Sequence, residues 1–134
     1  MQYLIDTNIC IYMLNRSDDS LIRMFRTHIA AEFAVSTITV AELEFGVANS
    51  VRLEQNHRKL IEFLSPLSLV SFDQFDARVY AKIKNGLRIK GKPIDPFDML
   101  IAAQAINRNL ILLTNDSHFS RIPDLRIENW IKKK

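Results

Sequence analysis

The chain alternates short apolar runs with longer segments of helical periodicity, and this alternation limits its possible folds more than any other feature. The apolar runs predicted as strands are Gln2–Ile5, Phe33–Ser36, Leu67–Phe72 and Leu110–Leu113. The segments with helical spacing are Leu21–Ala31, Val40–Ala48, Leu53–Leu64, Ala77–Arg88 and Phe97–Asn107. Strands that alternate with helices indicate an α/β fold with a mostly parallel sheet. The length of 134 residues suits a single domain over positions 1–134.

Several classes of protein have little support in this sequence. No stretch is apolar and long enough to predict a transmembrane helix, and the N-terminus does not resemble a secretory signal. Cys10 has no cysteine partner, so we expect a cytoplasmic, reducing environment. His28, His57 and His118 lack the spacing of zinc ligands, and no Gly-rich loop predicts a nucleotide cofactor.

Four acidic residues lie where predicted strands end or helices begin. Asp6 directly follows the first strand, and Asp116 follows the last one within Leu113–Asp116. Active sites of open parallel sheets gather beyond the carboxyl ends of the strands. We therefore expect Asp6 and Asp116 to share one edge of the sheet, with Glu42 and Asp98 as further members of the cluster.

Each of these acids also has a purely structural interpretation. Asp6 or Thr7 is suited to capping the next helix, and Asp116 to capping the turn that follows it. Asp98 is suited to the first turn of a helix, near its positive end. Glu42 matches a capping box that begins at Thr39, and helical spacing alone does not choose between Glu42 and Glu44 as the inward acid. The residues by themselves leave both interpretations open.

Asp98 gives the strongest indication of function. Asp95 and Pro96 are typical of a helix start, and the helix that follows is apolar on nearly all sides, which predicts burial. A buried carboxylate must be paired, hydrogen-bonded, protonated or bound to a metal. Converging carboxylates raise one another's pKa, and Mg²⁺ or Mn²⁺ relieves that repulsion. The cluster thus predicts a metal site suited to phosphodiester chemistry.

Basic residues are concentrated in two places. Between Asp76 and Asp95 there is no acid, and the bases there are Arg78, Lys82, Lys84, Arg88, Lys90 and Lys92. The chain ends in Lys132, Lys133 and Lys134. Such clusters are suited to contact with a polyanion, and equally to a solvated helix face and a soluble tail.

Segments along nearly the whole chain carry a family resemblance. They are Tyr3–Asn8, Ser36–Gly46, Gly91–Ala103 and Leu113–Phe119, followed by Leu125–Trp130. In order and spacing they resemble the motifs of the PIN-domain ribonucleases and, within that class, of the VapC toxins of VapBC toxin–antitoxin pairs. The resemblance implies a PIN-like three-layer α/β/α domain with a short, mostly parallel central sheet.

The resemblance also assigns roles to particular positions. It implies that the metal-binding, catalytic carboxylates are Asp6, Glu42, Asp98 and Asp116, and so selects Glu42 over Glu44. Supporting polar positions are Asn8, Thr114 and Asn115. It further implies an endoribonuclease dependent on Mg²⁺ or Mn²⁺ that cleaves RNA, often tRNA, and blocks translation. A homodimer and a neutralising VapB-like antitoxin belong to the same expectation.

Two positions depart from the family pattern. Asp95 stands where glycine is common, and we interpret it as an N-cap in preference to an additional metal ligand. Some relatives carry Asn at the position of Asp116, so this acid is expected to tune the site. The bases nearest to Asp98, which are Arg88, Lys90 and Lys92, are expected to hold the RNA backbone.

Competing functions remain open at this stage. A DNA nuclease or a phosphatase is one alternative, although an aspartyl phosphatase needs an acid at the position of Asn8. A PIN-like scaffold that binds RNA without cleaving it is another. The apolar faces of Leu21–Ala31 and Leu53–Leu64 are suited to a dimer or antitoxin contact, and equally to packing in the core.

Overall fold

The computed structural model describes residues 1–131, which form a five-stranded parallel sheet flanked by helices. The strands are β1 (Tyr3–Ile5), β2 (Phe33–Ser36), β3 (Ser68–Val70), β4 (Ile111–Leu113) and β5 (Ile127–Glu128). The helices are α1 (Thr7–Asn15), α2 (Asp19–Arg26), α3 (Thr37–Ala48), α4 (Leu53–Leu64), α5 (Gln74–Ile89) and α6 (Pro96–Asn107), with 3₁₀ turns at Ala30–Glu32 and Ser117–Arg121. The basic tail of Lys132, Lys133 and Lys134 lies outside the described residues.

The order of the strands determines where the acids meet. The sheet runs β3-β2-β1-β4-β5, and every pairing is parallel. In the central strand, Leu4 is aligned with Ala34 of β2 and Leu112 of β4. The carboxyl ends of β1, β2 and β4 therefore lie side by side at one edge of the sheet, and Asp6 and Thr114 follow directly from two of them.

Alternate residues of the strands separate two hydrophobic clusters, one on each face of the sheet. Leu4 belongs to the cluster that packs against α5 and α6, which includes Ile83 and Ile101. Ile5 belongs to the cluster formed with α1 to α4, which includes Leu60. This arrangement confirms the predicted three-layer α/β/α architecture.

An ionic network ties the start of α5 to the end of α6. Asp76 is fully buried, and its carboxylate accepts hydrogen bonds from Asp73 N at 2.9 Å, Asn107 Nδ2 at 2.8 Å and Arg108 Nη2 at 2.9 Å. Arg108 also donates to the carbonyl oxygen of Ser71. A buried carboxylate requires such partners, so we interpret this network as structural. It lies with α5 and α6 on the face of the sheet opposite α1 to α4.

Several boundaries differ from the sequence-based predictions. Helix α1 and strand β5 were not among the predicted elements, because α1 is a nearly continuous apolar run and β5 has only two residues. Helix α2 ends at Arg26 and does not continue to Ala31, because Thr27 is its C-cap and the backbone is extended at Ile29. The bounds predicted for α4 are confirmed.

Two aromatic residues lie outside the core that their sequence pattern predicts. Phe45 and Phe97 fit helix faces that would point inward, but they are 71% and 52% exposed. Cys10, whose apolar neighbours also predict a core position, is buried. Within residues 1–131, none of the helices has both the length and the apolar character needed to cross a membrane.

Candidate active site

Asp6 occupies the junction between β1 and α1. Its side chain is only 3% exposed, and its two carboxylate oxygens accept hydrogen bonds from Thr7 N and from Thr114 Oγ1, both at 2.8 Å. Burial raises the pKa of Asp6 above its usual value, the two hydrogen bonds oppose this shift, and the charges of Asp116 and Glu42 add to it. The capping interpretation of Asp6 is thus correct and coexists with a place in an acidic cluster.

Glu42 lies in the middle of α3 and takes no part in a capping box. The N-cap of this helix is Ser36, whose hydroxyl accepts from Ile38 N at 3.0 Å, so the capping interpretation of Glu42 is wrong. Its Oε1 accepts a hydrogen bond from the Thr7 hydroxyl at 2.7 Å. Glu44 instead lies 3.7 Å from His57 Nε2 at the surface, so Glu42 is the acid that joins the cluster.

A second hydroxyl supports this contact. The hydroxyl oxygens of Thr39 and Thr7 are 3.1 Å apart and hydrogen-bonded to each other. Thr39 is buried, and Thr7 links it to Glu42. The side chain of Glu42 is therefore oriented by groups from both α1 and α3.

Asp98 lies in the first turn of α6 and is half-buried, less than the apolar helix predicted. Asp95 caps this helix by accepting from Phe97 N at 2.9 Å, and Pro96 is the first helical residue, as expected. Burial raises the pKa of Asp98 to about 7, with further contributions from the negative charges of Asp6, Asp95, Asp116 and Glu42. The four predicted acids thus interact electrostatically in one region.

Asp116 caps the 3₁₀ turn that follows β4. Its Oδ1 accepts from His118 N at 2.9 Å and lies 2.9 Å from His118 Nδ1. The backbone N–H of Asp116 donates to Thr114 Oγ1 at 3.1 Å. Thr114 therefore connects Asp116 to Asp6, in line with its predicted supporting position.

The side chains of the other two predicted polar residues make fewer contacts than Thr114, and three contacting residues were not predicted. Asn8 and Asn115 are exposed and make no side-chain hydrogen bond to another described residue. Thr7, Thr39 and His118 were not predicted as site residues. Thr7 follows Asp6 after the end of β1, and Thr39 precedes Glu42 in α3, but their contacts depend on how these segments fold together.

The bases predicted to bind RNA are exposed near the end of α5. The turn there has the hydrogen bonds of a Schellman motif, from Gly91 N to Arg88 O at 3.1 Å and from Lys92 N to Leu87 O at 2.9 Å. Gly91 adopts a φ of 66°, a conformation that glycine tolerates best. This turn fixes the positions of Lys90 and Lys92 ahead of Asp98.

The donor atoms of the cluster suit a hard divalent cation. Four carboxylates and neighbouring hydroxyl groups supply only oxygen ligands. The raised pKa of Asp6 and of Asp98 reflects burial first and neighbouring negative charge second, and a cation would offset that charge. Within residues 1–131, no group of three or more His, Cys, Asp or Glu side chains is arranged so that it could hold a metal ion. Metal binding by these four residues therefore remains a prediction.

Comparison with known proteins identifies the family. Residues 3–125 match the profile of the PIN domain. Ribonuclease VapC2 of Rickettsia felis is 40% identical over 98% of this chain and 100% of its own length. The chain belongs to the VapC family of PIN-domain ribonucleases. The predicted family is confirmed, and the chain is a nuclease, a hydrolase of phosphodiester bonds.

Other VapC proteins share both sequence and fold with this chain. The tRNA(fMet)-specific endonuclease VapC of Salmonella typhimurium is 32% identical over 97% of this chain and 98% of its own length. The DNA-bound VapBC structure from the same organism superposes with a TM-score of 0.92 at 32% identity, covering 97% of this chain and 98% of the other. The promoter-bound VapBC2 structure of Rickettsia felis gives a TM-score of 0.89 at 39% identity, covering 97% and 99%.

Proposed function

We propose that this chain is the toxin of a VapBC-type pair, a divalent-metal-dependent endoribonuclease that cleaves tRNA and so inhibits translation. The observation that carries the proposal is the raised pKa of Asp98, produced by burial and by four neighbouring acids at one sheet edge. The relative from Salmonella typhimurium is named a tRNA(fMet)-specific endonuclease, which favours tRNA as the substrate class.

In this proposal, Asp6, Glu42, Asp98 and Asp116 hold Mg²⁺ or Mn²⁺. A bound cation of this kind supplies a Lewis acid that offsets phosphodiester charge and lowers the pKa of water. The protein positions the carboxylates: Thr114 donates to Asp6, and Thr7 donates to Glu42. Because these hydroxyl groups fix the direction of the ligand oxygens, their role resembles that of the outer partners around metal centres.

The exposed polar groups around the cluster would bind the substrate. The side chains of Asn8 and Asn115 make no hydrogen bond to another residue in 1–131 and are available to water or a phosphate group. Arg88, Lys90 and Lys92 would contact the RNA backbone from the end of α5. These contacts would position RNA without reading its sequence.

The partners follow from the same relatives. The superposed structures from Rickettsia felis and Salmonella typhimurium are VapBC complexes, and we extend this partnership to a VapB-like antitoxin for this chain. A homodimer, a cytoplasmic location and a single PIN domain over residues 1–134 belong to the same proposal. Leu53 and Ile61 of α4 are exposed and are available for contact with a protein partner.

The proposal is tested by incubating purified, antitoxin-free protein with a total tRNA pool in Mg²⁺ or Mn²⁺, and in parallel with EDTA. We expect cleavage of a specific tRNA that disappears in EDTA. Intact tRNA in every lane, with protein that circular dichroism shows to be folded, would contradict the proposal and favour an RNA-binding scaffold.

A further inference from the structure

A cavity of about 290 Å³ opens beside the carboxylate cluster, between α1, α3 and α4. Glu42 lines this cavity and also belongs to the acidic cluster, so it is the residue that the two sites share. Its apolar walls come from Ile11, Leu14, Leu43 and Val47. The volume lies near the lower end of the ~300–1,000 Å³ range of small-ligand pockets, which suits one heterocyclic base.

Gly46 also lines this cavity, and the fold gives no structural reason for a glycine at this position. It lies inside α3, where glycine destabilises a helix relative to alanine. Its φ is not positive, and a Cβ atom at this position would meet no heavy atom within 4 Å. Neither backbone conformation nor close packing within the described residues requires this glycine, and it stands at a position that lines the cavity.

Apart from Glu42, the polar residues that line the cavity have side chains without hydrogen-bond partners in the described residues. Asn15 and Asn56 are two of them, and neither side chain hydrogen-bonds to another residue within 1–131. Lys59 also lines it and has no carboxylate partner in the same part of the chain. Carboxamides match the donor and acceptor edges of a nucleobase, and an ammonium group matches a phosphate.

Lys59 connects this cavity to a larger one of about 730 Å³ between α1, α2 and α4. The charged residues that line the larger cavity are Arg16, Arg26, Lys59 and the single acid Glu62. A nucleic-acid backbone that passes Lys59 would therefore enter a surface with a positive excess. Apolar walls for bases beside basic groups for phosphates are the usual composition of single-strand binding surfaces.

We propose that the cavity lined by Glu42 and Gly46 binds the base of one unpaired RNA nucleotide, next to the phosphodiester that the carboxylate cluster acts on, while Lys59 contacts its phosphate. This inference rests on the proposed ribonuclease function and adds a specificity-determining subsite to it. The base inserts between α1 and α3, and its polar edge meets Asn15 and Asn56.

The test measures how base binding depends on the cavity. The probes are fluorescein-labelled decaribonucleotides of A, C or U and an abasic ribose-phosphate decamer, bound to protein that carries Asp98→Asn to prevent cleavage. Gly46→Leu introduces a large side chain at a position that lines the cavity, and its Cβ atom meets no heavy atom within 4 Å. Gly86→Leu is the matched control, because Gly86 lies inside α5, also has open space around its Cβ position and lines neither cavity.

We expect the preferred base-bearing strand to bind about tenfold more tightly than the abasic strand. Gly46→Leu should bring the affinities for the two strands close together without weakening the binding of the abasic strand. Gly86→Leu should leave the ratio of the two affinities unchanged. Asn56→Leu should reduce discrimination among the bases. Lys59→Ala should weaken both strands and lower the salt slope by about 0.7.

Several outcomes would overturn the inference. A base preference that survives Gly46→Leu contradicts it, and so does an equal loss of affinity for the abasic strand. Weakened antitoxin binding with an unchanged base preference would assign the cavity to a protein partner. If the Asp98→Asn protein bound none of the strands and the wild-type protein cleaved no tRNA, the proposed function would fail together with this inference. Normal cleavage with a cavity-independent base preference would remove the inference alone.

Discussion

The hydroxyl group of Thr7 donates a hydrogen bond to Glu42 Oε1 over 2.7 Å and joins residues that are 35 positions apart in the sequence. It connects the first turn of α1 to the middle of α3, and Thr39 completes the arrangement at 3.1 Å from the Thr7 hydroxyl. Because the hydrogen bond already orders the carboxylate, the side chain loses little further conformational entropy when it binds a metal ion.

Removal of this hydroxyl should impair activity without unfolding the protein. Thr7→Val keeps the side-chain shape, and we expect kcat/KM for RNA cleavage to fall about 10- to 100-fold, with weaker Mn²⁺ binding by calorimetry. Thr7→Ser restores a hydroxyl group and should recover most of both losses. If Thr7→Val matched the wild-type protein in both measurements, Thr7 would have no positioning role.

The pKa of Asp98 predicts the pH dependence of stability in EDTA. The ordinary pKa of this group is 3.8 and the folded value is about 7, so its stabilising contribution is complete below pH 4 and is lost as pH rises to about 7. Asp98→Asn removes this loss and should stabilise the metal-free protein at pH 8 by about 1 kcal/mol, a modest value because Asp98 is only half-buried.

Urea unfolding of the wild-type protein and Asp98→Asn at pH 4 and pH 8 checks this prediction. The difference between the two proteins should be near zero at pH 4 and should favour the variant at pH 8. A difference that favours the wild-type protein at pH 8 would mean that Asp98 is stabilised as a carboxylate in the folded state.

The network around Asp76 should contribute to stability and not to catalysis. Arg108→Met leaves the fully buried carboxylate without its charged partner, and we expect a loss of about 3 kcal/mol in the free energy of unfolding. Arg126→Met is the matched control, because Arg126 is exposed and, within residues 1–131, its side chain bonds only to Asn109. Equal effects of the two substitutions in urea unfolding would contradict the prediction.

The end of α5 should bind RNA through phosphates. Lys90→Ala with Lys92→Ala should weaken RNA binding and lower the slope of log affinity against log salt by about 0.7 for each phosphate that is no longer neutralised. Lys82→Ala with Lys84→Ala removes the same charge from the middle of α5 and serves as the control. Equal losses of affinity from both pairs would indicate diffuse attraction to the basic helix in place of specific phosphate binding at its end.

The layers of the fold were predictable because they depend on local patterns. Alternating strands and helices predicted the three layers, and Asp95 with Pro96 correctly predicted the start of α6. Helix α1 was missed because its run of apolar residues lacks a clear polar face. The exposed positions of Phe45 and Phe97 were also missed, since sequence does not reveal which apolar side chains lie outside the core.

The candidate site was predictable as a set of acids but not as a network. Family motifs identified Asp6 and Glu42, whereas the hydroxyl groups that orient them join segments far apart in the chain. The capping box expected at Thr39 failed because Ser36 caps α3 one turn earlier. The contact of His118 with Asp116 was missed because a histidine two residues after an acid has no distinctive pattern.

A comparison of Asp98→Asn with Asp95→Asn tests whether the carboxylate cluster holds the metal for RNA cleavage. Both substitutions remove one negative charge from the same helix start, and Asn at position 95 still caps α6. Mn²⁺ binding and tRNA cleavage are measured on the same preparations. We expect Asp98→Asn to lose tRNA cleavage by at least about 100-fold and to bind Mn²⁺ weakly. Asp95→Asn should stay within about threefold of wild type in both cleavage and Mn²⁺ binding. Full cleavage and Mn²⁺ binding by Asp98→Asn would contradict this role of the cluster.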